Sequence, residues 1–234
     1  MRIDVCFMPA EYQAEHFIDY SAVVIDVLRA TTSIATAFTN GCGQIIPVET
    51  VEQAFAKKEH FYSEGILTGE RQGVLIQGFH LGNSPFEYSR ENVGGKTVIM
   101  TTTNGTLALN KAAGAGKVYT AAFVNCLAVC DRLRQECRNV VILCAGTEGR
   151  FSVEDTLCAG LIVDRLSDVA ELSDKAMACQ AMYQGFSSNF AERVKNSSHA
   201  QYLTQIGFAK DVDFCLQHDH FTVVPEFSEG VIKI

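Results

Sequence analysis

Four polar stretches of this 234-residue chain hold the residue types that anion chemistry needs. The first is Asp26-Val27-Leu28-Arg29-Ala30-Thr31-Thr32-Ser33, at the end of an apolar run. A carboxylate placed there must be paired or bind a cation, because burying it alone is costly. Arg29 and the hydroxyls of Thr31, Thr32 and Ser33 at a helix start make an anion site. The plainer alternative is an Asp26–Arg29 ion pair with Thr31 or Thr32 capping the helix. The second stretch is Met100-Thr101-Thr102-Thr103-Asn104-Gly105-Thr106. Asn104 is a good cap and Gly105 admits close backbone approach, so hydroxyls and N–H groups of Thr102, Thr103 and Thr106 gather round one point.

The third stretch runs from Cys144 through Glu148 and Arg150 to Ser152, Glu154 and Asp155. Cys144 and Arg150 have the C-x5-R spacing of a thiolate phosphate loop, in which sulfur attacks phosphorus and Arg clamps the oxygens. The nearby acids oppose a thiolate. In the other reading, Glu154 and Asp155 give oxygen ligands to Mg²⁺, or simply acidify a capped first helical turn. The fourth stretch holds Glu70-Arg71, then Asn83-Ser84-Pro85 among several glycines. It reads as a solvated pair and a turn, or as a loop closing over a ligand.

These stretches need a frame to position them. Apolar runs at 3–7, 23–28, 44–49, 96–101, 117–123, 139–144 and 221–224 predict strands. Helical patterns cover 32–39, 51–64, 105–113, 125–136 and 153–166. Continuously apolar strands alternating with helices predict a three-layer α/β/α sandwich around a largely parallel, or mixed, sheet. Residues 24–48 and 97–121 form an internal strand-loop-helix repeat at an offset of 73, pairing Ser33 with Thr106 and Gly41-x-Gly43 with Gly114-x-Gly116. With no linker in sight, residues 1–234 read as a single domain.

Composition narrows the class. The net charge of −8 argues against nucleic acid and anionic membrane as partners, so local donors must hold any anion. Nine scattered cysteines without a C-x-x-C pair read as reduced thiols in a cytoplasmic protein. Neither a signal peptide nor a membrane span is expected. His218-Asp219-His220 is too short a set for a metal site and reads as a surface turn.

In order, residues 24–33 (VIDVLRATTS), 69–73 and 78–85 (GERQG, GFHLGNSP), 101–106 (TTTNGT) and 144–160 (CAGTEGRFSVEDTLCAG) resemble the 2-phosphosulfolactate phosphatase family. Gly207, Asp211, Cys215 and Val224-Pro225 in the tail extend the resemblance over nearly the whole chain. His80 stands where the resemblance implies an acid. The family implies Mg²⁺-dependent hydrolysis of 2-phosphosulfolactate to 3-sulfolactate and phosphate, a step towards coenzyme M. It implies Asp26 as metal ligand or phosphoryl acceptor, with Glu154 and Asp155 as further ligands. Arg29, Arg71 and Arg150 would meet substrate oxygens. Thr31, Thr32, Thr102, Thr103, Asn104, Gly105 and Thr106 would add neutral donors, and Asn83 and Ser84 would close the pocket. The expected partner is a small phosphorylated anion, and the chain is a candidate homodimer. The competing functions are a non-catalytic binder of such a metabolite and a metal-independent cysteine phosphatase using Cys144 and Arg150.

Overall fold

The computed structural model describes residues 1–61 and 65–234. The strands are β1 (Arg2–Cys6), β2 (Ser21–Ile25), β3 (Gln44–Pro47), β4 (Gly65–Arg71), β5 (Val74–Leu75), β6 (Thr97–Thr101), β7 (Lys117–Ala121), β8 (Val140–Cys144), β9 (Glu171–Leu172), β10 (Glu226–Ser228) and β11 (Val231–Lys233). The helices are α1 (Ala30–Thr39), α2 (Val51–Glu59), α3 (Arg90–Val93), α4 (Gly105–Ala112), α5 (Cys126–Glu136), α6 (Val153–Leu166), α7 (Asp174–Phe186), α8 (Phe190–Lys195), α9 (Ser198–Gln205) and α10 (Ala209–Cys215).

One sheet runs β5-β4-β6-β3-β11-β10-β7-β2-β8-β1-β9. Two parallel blocks make it up: β7-β2-β8-β1-β9 and β4-β6-β3. The β10–β11 hairpin joins them through three antiparallel pairings, so the blocks run in opposite directions. The chain crosses from one block to the other twice, through β2-α1-β3 and back through β6-α4-β7.

Every residue of β2 and β8 is buried, as sequences with no polar face require. Val23, Ile25, Ile142 and Cys144 face Val129, Leu133, Leu157 and Leu161 of α5 and α6. Ala22, Val24, Val141 and Leu143 share the opposite core with Ile34 and Phe38 of α1, Leu109 of α4, and Val98, Met100 and Ile45 of the second block. The outer face of that second block carries Ile46, Leu67 and Ile99 against α2. The expected layered α/β architecture is therefore present. Both blocks share one core around α1 and α4, so the twisted sheet wraps these helices and carries strand ends of both blocks to one place.

Several boundaries differ from expectation. Residues 221–224 are not a strand. Phe221 instead donates its N–H to Val124 O, and the strands follow the Val224-Pro225 step as β10 and β11. Pro225 cannot donate to a ladder, which ends any strand there. The helix expected at 51–64 ends at Glu59, and positions 62–64 lie outside the described residues. The repeat also changes register. The offset of 73 holds for β3 and β7, but Ala30 matches Gly105 because α1 is two residues longer than α4, and Ile25 matches Thr101 because the first loop is also one residue longer. All nine cysteines are unpaired, and only Cys137 is exposed. Among the described residues no helix is long and apolar enough to cross a membrane.

Candidate functional site

A cleft of about 310 Å³ opens where the loops after β2, β4, β6 and β8 meet α9. Its walls include Asp26, Arg29, Glu70, Arg71, Asn83, Thr103, Asn104, Thr147 and His199. The two crossover helices begin here, in contact. A Cβ on Gly105, the first residue of α4, would lie 2.6 Å from Cβ of Ala30, the first residue of α1, and 2.8 Å from Oδ2 of Asp26. Only glycine permits that approach. Asp26 thus sits between two helix N-termini, where unpaired N–H groups favour negative charge.

Asp26 is 5% exposed. Ala30 N–H donates to its Oδ1 at 3.3 Å, a weak bond for a buried carboxylate. Burial pushes its pKa up to about 6, and the charges of Glu70 and Glu154 push the same way against His199 and the Ala30 N–H. Asp26 does not pair with Arg29. The Arg29 guanidinium donates to Asp211 at 2.6 Å and to Gly73 O at 2.6 Å, and it stacks 4.1 Å from the Phe208 ring centroid. Asp211, on α10, is fixed in turn by the Ser84 hydroxyl at 2.9 Å.

The second loop meets β4 through Glu70, whose carboxylate accepts Thr103 N–H at 2.7 Å and Gly73 N–H at 2.8 Å. Arg71 bonds Glu70 O and the Thr101 hydroxyl. Asn104 does not cap α4 with its side chain; its Oδ1 accepts Glu148 N–H at 2.9 Å. Thr102 does the capping, accepting Thr106 N–H at 3.1 Å.

The remaining sequence-predicted residues lie elsewhere. The Thr31 hydroxyl bonds Asp26 O, the Thr32 hydroxyl bonds Val27 O, and the Thr106 hydroxyl bonds Thr102 O. These threonines build the loops rather than the cleft wall. Asp155 is buried and accepts Val27 N–H and Gly146 N–H, stapling the first and third loops together. Burial, then the charges of Asp26 and Glu154, raise its pKa well above the usual carboxylate range. Glu154 faces His199. Arg150 is exposed, pairs with Glu148, and borders a neighbouring depression. His80 lies outside the cleft, accepting Leu67 N–H.

Cys144 closes the thiolate route. Its side chain is wholly buried in the core against α5 and α6, and burial, with the Asp155 charge, raises its pKa far above the usual thiol range. The C-x5-R spacing arises because β8 ends at a core cysteine.

Sequence reading missed His199, on α9, whose Nδ1 lies 2.8 Å from Glu154 Oε1. Burial disfavours its charged ring, yet the hydrogen bond and charge of Glu154, with the charge of Asp26, hold its pKa above the ordinary value.

A buried acid lies between two helix N-termini at the strand ends of an α/β protein, with two arginines and neutral donors around it, an arrangement suited to an anion. The family model described as 2-phosphosulpholactate phosphatase matches residues 6–230. A probable 2-phosphosulfolactate phosphatase of Thermotoga maritima is 44% identical, with 90% of each chain covered. One from Symbiobacterium thermophilum is 40% identical over 94% of this chain and 97% of its own. One from Clostridium acetobutylicum is 38% identical over 99% and 100%. The chain belongs to the 2-phosphosulfolactate phosphatase family.

Proposed function

We propose that this protein is a Mg²⁺-dependent phosphatase that hydrolyses 2-phosphosulfolactate to 3-sulfolactate and phosphate. The observation that carries the reading is Asp26, a nearly buried carboxylate with weak protein hydrogen bonding at the meeting point of two helix N-termini.

Among the described residues no group of three or more His, Cys, Asp and Glu side chains converges as a metal cage. Mg²⁺ usually binds through one or two carboxylates, its own waters and the substrate phosphate. Asp26 fits that donor set, and so does Asn83 Oδ1, a buried cleft atom with no hydrogen-bond partner. Glu154 and Asp155 are spent on His199 and on two backbone N–H groups. When bound, Mg²⁺ supplies positive charge to the non-bridging phosphoryl oxygens. Arg29, fixed by Asp211 and Phe208, and Arg71 hold substrate oxygens without having to be ordered at the moment of reaction. Thr103 and Asn104 give neutral donors at the same wall.

The test is phosphate release from 2-phosphosulfolactate with and without Mg²⁺. Turnover that needs Mg²⁺ and is lost in Asp26→Asn supports the reading. Binding of the substrate without phosphate release would make the protein a metabolite binder instead.

A further inference from the structure

Glu154 is 1% exposed, and a carboxylate so placed needs a partner. Its partners are the His199 ring, at 2.8 Å from Oε1, and the Ser197 hydroxyl, at 3.4 Å from Oε2. The Thr147 hydroxyl lies 3.2 Å from the same ring nitrogen, Nδ1. A carboxylate on Nδ1 fixes the proton there and leaves Nε2 to exchange protons. Nε2 has no protein partner among the described residues, and the ring borders the cleft that holds Asp26 and Arg29. A histidine serving only the core would have both nitrogens satisfied. The charged groups facing the ring are Glu154 from α6, and Asp26 and Arg29 from the loop after β2. Glu148 and Arg150 of the adjoining loop are exposed and pair with each other.

We propose that His199 is the proton donor and acceptor of the hydrolysis, acting through Nε2, with Glu154 as its positioning residue. This rests on the phosphatase reading above. As the ester O–P bond breaks, its electron pair stays on the ester oxygen and the Nε2 proton of the cationic ring moves to that oxygen, leaving the neutral Nδ1–H ring. The product leaves as an alcohol, not an alkoxide. A water oxygen bonds to phosphorus, directly or at a phosphoryl-Asp26, and its proton returns to Nε2. The sum is ester plus water giving alcohol plus phosphate, with the ring restored.

His199→Gln is expected to lower kcat on 2-phosphosulfolactate by about 10²–10³-fold, the usual worth of general acid–base catalysis. KM, and binding of inorganic phosphate, should stay within about 3-fold, because the ring is assigned to proton transfer and not to substrate affinity. Glu154→Gln should cost about 10-fold alone and nothing further in the double variant, since residues acting as a unit are not additive. Added imidazole should restore part of the activity of His199→Ala, which a structural role would not allow. A fourth measurement needs neither activity nor a variant. Nitrogen-15 NMR of the His199 ring in the wild type should show both nitrogens protonated at low pH, and the Nδ1–H tautomer once Nε2 has lost its proton. A neutral ring whose one proton sits on Nε2, or an active wild type whose His199→Gln variant keeps its kcat, overturns the assignment. An inactive wild type would instead bring down the phosphatase reading, and this one with it.

Discussion

The loop after β2 and the loop after β6 are built alike and charged differently. In the first, the Thr31 hydroxyl donates to Asp26 O at 2.9 Å and accepts Asp26 N–H at 3.0 Å, while Asp26 Oδ1 accepts Ala30 N–H. In the second, the Thr106 hydroxyl donates to Thr102 O at 2.9 Å and accepts Thr102 N–H at 3.3 Å, while Thr102 Oγ1 accepts Thr106 N–H. Asp26 and Thr102 are counterparts, as are Thr31 and Thr106, and Ala30 and Gly105. A hydroxyl suffices for the cap in the second copy. The carboxylate in the first is therefore more than the fold requires, and burying it is costly. Residues that break local economy in this way mark functional positions.

The largest effect should come from equalising that charge. Asp26→Asn is expected to lower kcat on the order of 10³-fold or more, and Thr102→Ser by less than about 3-fold. The stability effect should run the other way. The folded pKa of Asp26 is raised to about 6, against roughly 4 in the unfolded chain. Its stabilising contribution is present below about pH 4 and is lost as pH rises through about 6, amounting to roughly 2–3 kcal/mol. In metal-free buffer at pH 8, Asp26→Asn should melt several degrees above the wild type, and near pH 4 the two should converge. Millimolar Mg²⁺ should raise the wild-type Tm and leave the variant unmoved. A variant that melts lower at pH 8 would mean that Asp26 stabilises the fold, and the contrast between the loops would collapse.

A middling effect should come from the contact between the two helix starts. Gly105→Ala puts a methyl 2.6 Å from Ala30 Cβ, overpacking that costs about 1–3 kcal/mol. It also presses on Asp26 Oδ2, and a displacement of that kind should cost about 10²-fold in kcat. Ala30→Gly in the same chain should restore at least half of the Tm loss, because one small residue is enough where the helices touch. Failure of that rescue would mean that the Asp26 contact, and not helix against helix, sets the cost.

Much of this was legible in the sequence, and the gaps have physical causes. Buried strands such as VVILC announce themselves because both faces are covered. Asp26 stood out as an acid closing such a run, and the glycine-threonine loop stood out by composition. The offset of 73 misplaces the counterparts, because two extra residues in α1 and one in the loop before it shift register without altering the glycines after the helix. Sequence pairing matched Ser33 to Thr106, whereas hydrogen bonding matches Thr31 to Thr106. Arg29–Asp211 and Glu154–His199 were not predicted as pairs, since they join positions 182 and 45 residues apart. Such contacts are created by chain folding, and no local period encodes them. His199, one of six histidines, has no spacing that sets it apart.

The smallest effects should come from the two matched threonines, and there the comparison is sharpest. Thr31→Val and Thr106→Val remove the same hydroxyl from the same local frame. Each leaves one buried backbone N–H without its partner, so each should cost about 1–2 kcal/mol, and the two melting temperatures should agree within a few degrees. Their activities should not agree. Thr31 bonds the backbone on both sides of the Asp26 Cα, so its loss lets the carboxylate drift from the helix termini. That should lower kcat by about 10-fold, because reacting groups tolerate little displacement. Thr106 fixes only a neutral hydroxyl, so its loss should change kcat by less than about 3-fold. Matched stabilities with unmatched activities would confine the chemistry to the charged copy of the loop. Equal activity losses would mean that both helix starts must be held rigid for turnover, and that the second copy serves as more than a backbone scaffold.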